Sequence, residues 1–163
     1  MKKILVVLTG GTIGSRVDND VIDVSDTSPY RLLSLYEESY GREAFEVIQP
    51  INILSENMTP DSLLILLKAL DRISYGEYAG IIVAHGSDTL SYTSAFAGLL
   101  FHHIPVPMIL IASNYPLGQE GSNGLNNFAR AVEFIRGQNM KGVFTLYQDR
   151  EGVDQVYLAT RIH

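Results

Sequence analysis

Leu8-Thr9-Gly10-Gly11-Thr12-Ile13-Gly14-Ser15, entered straight from the apolar run Ile4 to Leu8, is the stretch around which the chain is organised. Five consecutive aliphatic residues after Lys2-Lys3 have the character of a buried strand, because a parallel strand covered on both faces loses the polar alternation of a half-exposed one. The glycines end that strand. Gly10 and Gly11 permit backbone angles that a Cβ would forbid and let the main chain approach a small ligand, which leaves Thr12 as a hydroxyl at the mouth of a sheet. A hydroxyl becomes a nucleophile only beside a base or a cation, so its chemistry depends on the partners the rest of the chain supplies.

Outward from this turn, short apolar runs alternate with helical patterns. Arg16 to Asp26 is polar, rich in aspartate, and predicts a long loop or a small hairpin. Ser28-Pro29 is a helix start followed by Leu32, Leu33, Tyr36 and Tyr40 at helical spacing, with Gly41 as the stop. Phe45 to Leu54 predicts a second strand. Thr59-Pro60-Asp61 opens a helix with Leu63, Leu66, Leu67, Leu70 and Ile73 on its core face. Gly80 to Ala84 is a third strand that ends in His85-Gly86-Ser87-Asp88-Thr89, and a helix through Tyr92, Ala95, Phe96, Leu99 and Leu100 is closed by Pro105. Val106 to Ala112 makes a fourth strand, leading to a turn-rich loop from Ser113 to Asn123. A helix through Leu125, Phe128, Ala129 and Val132 comes next, then a strand over Gly142 to Tyr147 and a last one over Val153 to Thr160. Strands alternating with helices predict a doubly wound α/β fold, its sheet mostly parallel with helices on both faces.

With 163 residues, 46% of them hydrophobic and 18% charged, the chain has the size and balance of one folded domain. The net charge is −6 and the basic residues, such as Lys68, Arg72, Arg130 and Arg136, are scattered. No run of them offers a phosphate-backbone footprint, so no nucleic-acid partner is expected. The absence of cysteine excludes disulfides, thiol catalysis and thiolate metal sites. Met1 leads directly into the first strand, and its apolar segment is too short for a signal peptide or a membrane span, so a cytoplasmic location without membrane contact is expected.

Three loops fall at the carboxyl ends of the early strands, the edge where an open α/β sheet binds its ligands. They are Thr9 to Ser15, Ser55 to Met58, and His85 to Thr89. Together they bring hydroxyls (Thr12, Ser55, Ser87), carboxylates (Glu56, Asp88) and the backbone amides of glycines such as Gly11 and Gly86. Such a set suits a small zwitterion, with carboxylates for the ammonium, hydroxyls and N–H groups for the carboxylate, and one hydroxyl to attack a carbonyl.

Thr9-Gly10-Gly11-Thr12-Ile13-Gly14 and His85-Gly86-Ser87-Asp88-Thr89-Leu90 resemble the TGGTI and HGTDT signatures of the bacterial-type L-asparaginase family. Ser55-Glu56-Asn57-Met58-Thr59-Pro60 and Pro116-Leu117 with Ser122-Asn123-Gly124 match in the same order. The resemblance implies hydrolysis of the side-chain amide of asparagine, with glutamine as an alternative, through a threonine acyl-enzyme and without metal or organic cofactor. It casts Thr12 as nucleophile and Ser87 as the second catalytic hydroxyl. Asp88 supports the relay and contacts the amine, while Ser55 and Glu56 hold the substrate. It also implies a two-domain, homo-oligomeric parent, of which residues 1–163 resemble the N-terminal domain, with the C-terminal domain absent.

Two positions depart from that pattern. Leu158-Ala159-Thr160-Arg161 matches the segment carrying the family's relay lysine and sets Arg161 there, a guanidinium that supplies charge but no base. Where the family has a lid tyrosine, this chain has Asp20-Val21-Ile22-Asp23, with Tyr30 the nearest candidate.

Other classes fit the letters less well. Thr9 to Gly14 also satisfies the T-G-x-x-x-G of a short-chain dehydrogenase, but Arg16 stands where a further glycine belongs, and the chain has no Tyr-x-x-x-Lys. P-loop chemistry lacks its Gly-Lys-Ser/Thr. An amino-acid-binding domain without turnover is compatible with Arg161 and the missing lid tyrosine. An amidase whose parent works on aminoacyl-tRNA gains no support from the acidic balance. His85 is assigned a structural role, and His102 and His103 none beyond meeting a helix end.

Overall fold

A computed structural model describes residues 1–10, 16–18, 21–23 and 28–162. In chain order it contains β1 (Ile4–Leu8), β2 (Arg16–Asp18), β3 (Val21–Asp23), α1 (Ser28–Tyr40), β4 (Phe45–Ile48), α2 (Pro60–Asp71) and β5 (Gly80–Ala84). These are followed by α3 (Leu90–Leu100), β6 (Pro107–Ile111), α4 (Gly124–Gly137), β7 (Gly142–Gln148) and β8 (Asp154–Leu158). Of the two readings of the Arg16 to Asp26 stretch the structure has the small hairpin, in which β2 and β3 pair antiparallel with Val17 opposite Ile22.

The main sheet has the order β4-β1-β5-β6-β7-β8. All its pairs are parallel except β7 with β8. Strand β1 explains why its sequence is apolar throughout. Ile4, Val6 and Leu8 enter one core with Leu32 and Tyr36 of α1 and Phe128, Val132 and Ile135 of α4. Leu5 and Val7 enter the other with Leu66 and Leu70 of α2 and Leu90 and Ala97 of α3. Alternate side chains of one buried strand thus feed two cores, which is the physical content of double winding. No helix among the described residues is long and apolar enough to cross a membrane.

Three boundaries differ from the sequence expectation. The second strand stops at Ile48, and only Ile53 returns to the sheet, as a single parallel bridge to Gly10. Pro50 has no N–H to give to a ladder, so the Phe45 to Leu54 run cannot continue as one strand. Helix α3 ends at Leu100, well before Pro105, with the imidazole of His102 on the Leu99 carbonyl at 3.0 Å. The last strand ends at Leu158, and Ala159–Arg161 form a 3-10 turn. That turn lies against Gly98 of α3, where a Cβ would stand 2.8 Å from Thr160 Cγ2, so the chain bends over the helix at this point.

The order of strands decides where a ligand fits. From β1 the chain moves outward to β4, then crosses back over β1 to β5 and continues the other way. Neighbouring crossovers therefore leave on opposite sides between β1 and β5, and a crevice opens beyond their carboxyl ends.

Candidate active site

The segments after β1, β4 and β5 meet at this crevice because glycines let their backbones touch. Gly10 adopts φ +91° and forms the bridge to Ile53, and a Cβ on it would lie 2.5 Å from the Ile53 carbonyl oxygen. Any other residue would be strained there by both conformation and overlap. The Ile53 N–H donates to the Thr9 carbonyl at 3.0 Å, and Thr9 in turn donates through its N–H and its hydroxyl to the Ala84 carbonyl at 3.2 and 3.1 Å. The end of β1 is thereby tied to the approach to Ser55 on one side and to the end of β5 on the other.

Two residues past that bridge, Ser55 is 3% exposed and packs against Gly86 so closely that a Cβ on Gly86 would overlap the serine side chain. Its hydroxyl donates to Asp88 Oδ2 at 2.6 Å, and the Asp88 N–H approaches the same oxygen of Ser55 at 3.4 Å. Thr89 donates its hydroxyl to the Ser55 carbonyl at 3.2 Å. Asp88-Thr89 also has the composition of a cap for the following helix. Thr89 stands at the N-cap of α3 but makes no side-chain cap bond there, since its hydroxyl is engaged by the Ser55 loop.

The expected site residues therefore fall into groups. Ser55 is in contact with both Gly86 and Asp88. Ser87 and Arg161 both line a cleft of about 460 Å³ shared with Leu90, Ser91, Thr145, Tyr147, Tyr157 and Ile162. Ser87 and Asp88, adjacent in the chain, link the contact group to the cleft. Glu56 is exposed beside Ser55 and makes no ion pair among the described residues. Tyr30, in the first turn of α1, is 68% exposed. Gly11 and Thr12 lie outside the described residues; the last described residue before them, Gly10, is bridged to Ile53.

His85 sits behind the rim with no solvent exposure. Its Nδ1 is 2.8 Å from the Gly86 carbonyl and its Nε2 is 3.0 Å from the Thr93 hydroxyl. A carbonyl only accepts, so Nδ1 carries the proton and Nε2 accepts from Thr93. Burial pushes this imidazole below the ordinary histidine range, opposed by the bond to Gly86, so it is held neutral. The imidazole is bonded at the strand end, as the sequence reading expected of it.

Sequence reasoning placed Thr89 in the His85 loop without giving its hydroxyl a partner, and it overlooked Thr93 and the two tyrosines of the cleft. Thr89 and Thr93 lie one turn apart at the start of α3, a readable sign that both point from one side of the helix, where Thr89 meets Ser55 and Thr93 meets His85. Tyr147 and Tyr157 give no such sign, because antiparallel pairing of β7 with β8 is what brings them to the cleft.

The fold and rim define an open, doubly wound α/β domain with hydroxyls and a carboxylate gathered at its switch point. The chain belongs to the asparaginase family: the family model described as Asparaginase, N-terminal, matches residues 3–163. Among curated relatives, a glutamyl-tRNA(Gln) amidotransferase component from Thermoplasma volcanium is 35% identical over 134 residues, covering 82% of this chain and 32% of that protein. An L-asparaginase from Thermococcus kodakarensis is 27% identical over 162 residues, covering 98% of this chain and 47% of that one. The solved structure of the thermostable L-asparaginase from Thermococcus kodakarensis superposes with a TM-score of 0.78 at 27% identity, over 98% of this chain and 46% of that one. The chain thus spans about a third to a half of the length of these relatives. The acidic balance gives no support to an aminoacyl-tRNA setting, whereas the first of these relatives is by name a glutamyl-tRNA(Gln) amidotransferase component.

Proposed function

We propose that this domain carries the nucleophile and most of the substrate pocket of an amidohydrolase that releases ammonia from the side-chain amide of asparagine, with glutamine as an alternative. Thr12 Oγ attacks the carboxamide carbon, the C–N bond breaks, and ammonia leaves with a proton delivered through the rim. Water then cleaves the threonine ester to give aspartate and the free hydroxyl. Ser55, Glu56 and Asp88 orient the amino acid, the Gly11 and Gly86 backbone lies against it, and Ser87 assists transfer. Arg161, which shares the cleft with Ser87, balances charge there and does not serve as base. The observation that carries this reading is the 2.6 Å bond from Ser55 to Asp88, made beside the crevice at which the end of β1 bridges through Gly10 to Ile53.

Kinship with an amidotransferase component favours a second setting for the same step, in which the ammonia passes to a partner instead of to solvent. The presence of a guanidinium at the cleft favours a further one, binding without turnover. A cytoplasmic location and a homo-oligomeric full-length form accompany the hydrolase reading. An ammonia-release assay with asparagine and glutamine, beside calorimetry with aspartate, separates these. Hydrolysis predicts release that Thr12→Ala abolishes. Aspartate binding without release supports the binding domain, and neither signal rejects both.

A further inference from the structure

One fully buried ionisable group, His85, has no task in the proposed reaction. His85 and Thr93 both have no solvent exposure, yet their side chains form one of the few polar contacts through this core. Next to it, Thr145 donates to Ser94 at 2.9 Å, so consecutive residues of α3 are fixed by buried hydroxyls, one to the residue that follows β5 and the other to the middle of β7. A buried polar pair is expensive unless fully satisfied, and this one is satisfied in a single arrangement: proton on Nδ1, Thr93 on Nε2.

That arrangement reaches the rim through one peptide. The Gly86 carbonyl that accepts from Nδ1 belongs to the peptide joining Gly86 to Ser87. The chain has no cis bond among the described residues, so the Ser87 N–H points opposite to that carbonyl, away from the imidazole. It has no acceptor among the described residues. The same peptide fixes Gly86 against Ser55, and Ser55 in turn holds Asp88.

Building on the proposed amidase site, we propose that His85, locked by Thr93, is a positioning residue that orients the Gly86–Ser87 peptide and so presents the Ser87 N–H, with Asp88 beside it, to the substrate. The imidazole touches no reacting atom. It acts by removing the rotational freedom of the peptide that does.

The test uses the full chain and the pair Thr93→Val, which keeps shape but loses the hydroxyl, and Thr93→Ser, which restores it. Measured by calorimetry at a temperature where circular dichroism shows every variant folded, the aspartate Kd is expected to rise roughly tenfold in Thr93→Val, the loss of about one buried hydrogen bond, and to return near the parent value in Thr93→Ser. A Kd unchanged in Thr93→Val would overturn the proposal, because a merely structural threonine would alter stability alone. If the parent chain neither binds aspartate nor releases ammonia, the amidase reading falls while the amide resonances of Ser87 and Asp88 still decide. Movement in Thr93→Val and recovery in Thr93→Ser support positioning, and unmoved resonances refute it. Should Thr93→Val fail to fold, the ¹⁵N shifts of His85 in the parent decide, with a neutral Nδ1–H ring supporting the proposal and a ring protonated on Nε2 refuting it.

Discussion

At the scale of single residues, the site is set by what a side chain would strike. Gly86 has no Cβ because Ser55 occupies the place where one would be, and both lie within reach of Asp88. Gly86→Ala is therefore expected to push the Ser55 loop outward, at a cost of about 1–3 kcal/mol for an overpacked contact. It should also remove aspartate binding even where the fold survives. Chemical denaturation and calorimetry on the same variant check the two effects separately. The letters around this point are legible as a group, since Ser55, Ser87 and Asp88 stand out by their chemistry and two of them are in contact. What the letters leave open is which use each finds. Asp88-Thr89 has the composition of a helix cap, and only the nearness of Ser55 turns the threonine hydroxyl toward another loop.

At the scale of elements, the helices are readable where a local signal suffices. Thr59 before Pro60 announces α2, and the Thr59 hydroxyl accepts from the Ser62 N–H at 3.2 Å, with Pro60 in the first turn where its missing N–H is no loss. Thr59→Ala should cost about 1 kcal/mol, read as a lower denaturant midpoint with unchanged slope, and should leave ligand binding intact because the hydroxyl bonds within the first turn of α2. Strands are less legible at their ends. An apolar run from Phe45 to Leu54 looks continuous, but Pro50 divides it, and Ile53 returns only as the single bridge to Gly10. The final segment shows the same limit, because the close contact of Thr160 with Gly98, distant in sequence, ends β8 and places Arg161 on a turn.

At the scale of the molecule, the strand order made from these elements puts the crevice between β1 and β5, and charge governs how the whole responds to acid. Arg136 near the end of α4 holds Glu43, just before β4, through Nε at 2.9 Å and Nη2 at 2.5 Å. The hydrogen-bonded guanidinium keeps the Glu43 carboxyl below its usual range, against the opposing effect of burial. His85 is likewise lowered, by burial first. Each group takes up a proton more readily in the unfolded chain, so both contributions favour the fold at neutral pH and are lost as pH falls. Loss from His85 is expected to begin below about pH 6.5 and from Glu43 below about pH 4.3. Urea titrations across this range should show declining stability in two stages, with the lower one flattened in Glu43→Gln, and a stability independent of pH would contradict both assignments. The central claim is that the crevice at the switch point receives an amino acid. Titration of the ¹⁵N-labelled chain with L-aspartate tests it most directly. Saturable amide shifts concentrated at Gly10, Ser55, Gly86, Ser87 and Asp88 are predicted, whereas no saturable shift, or shifts gathered on another face of the domain, would contradict it.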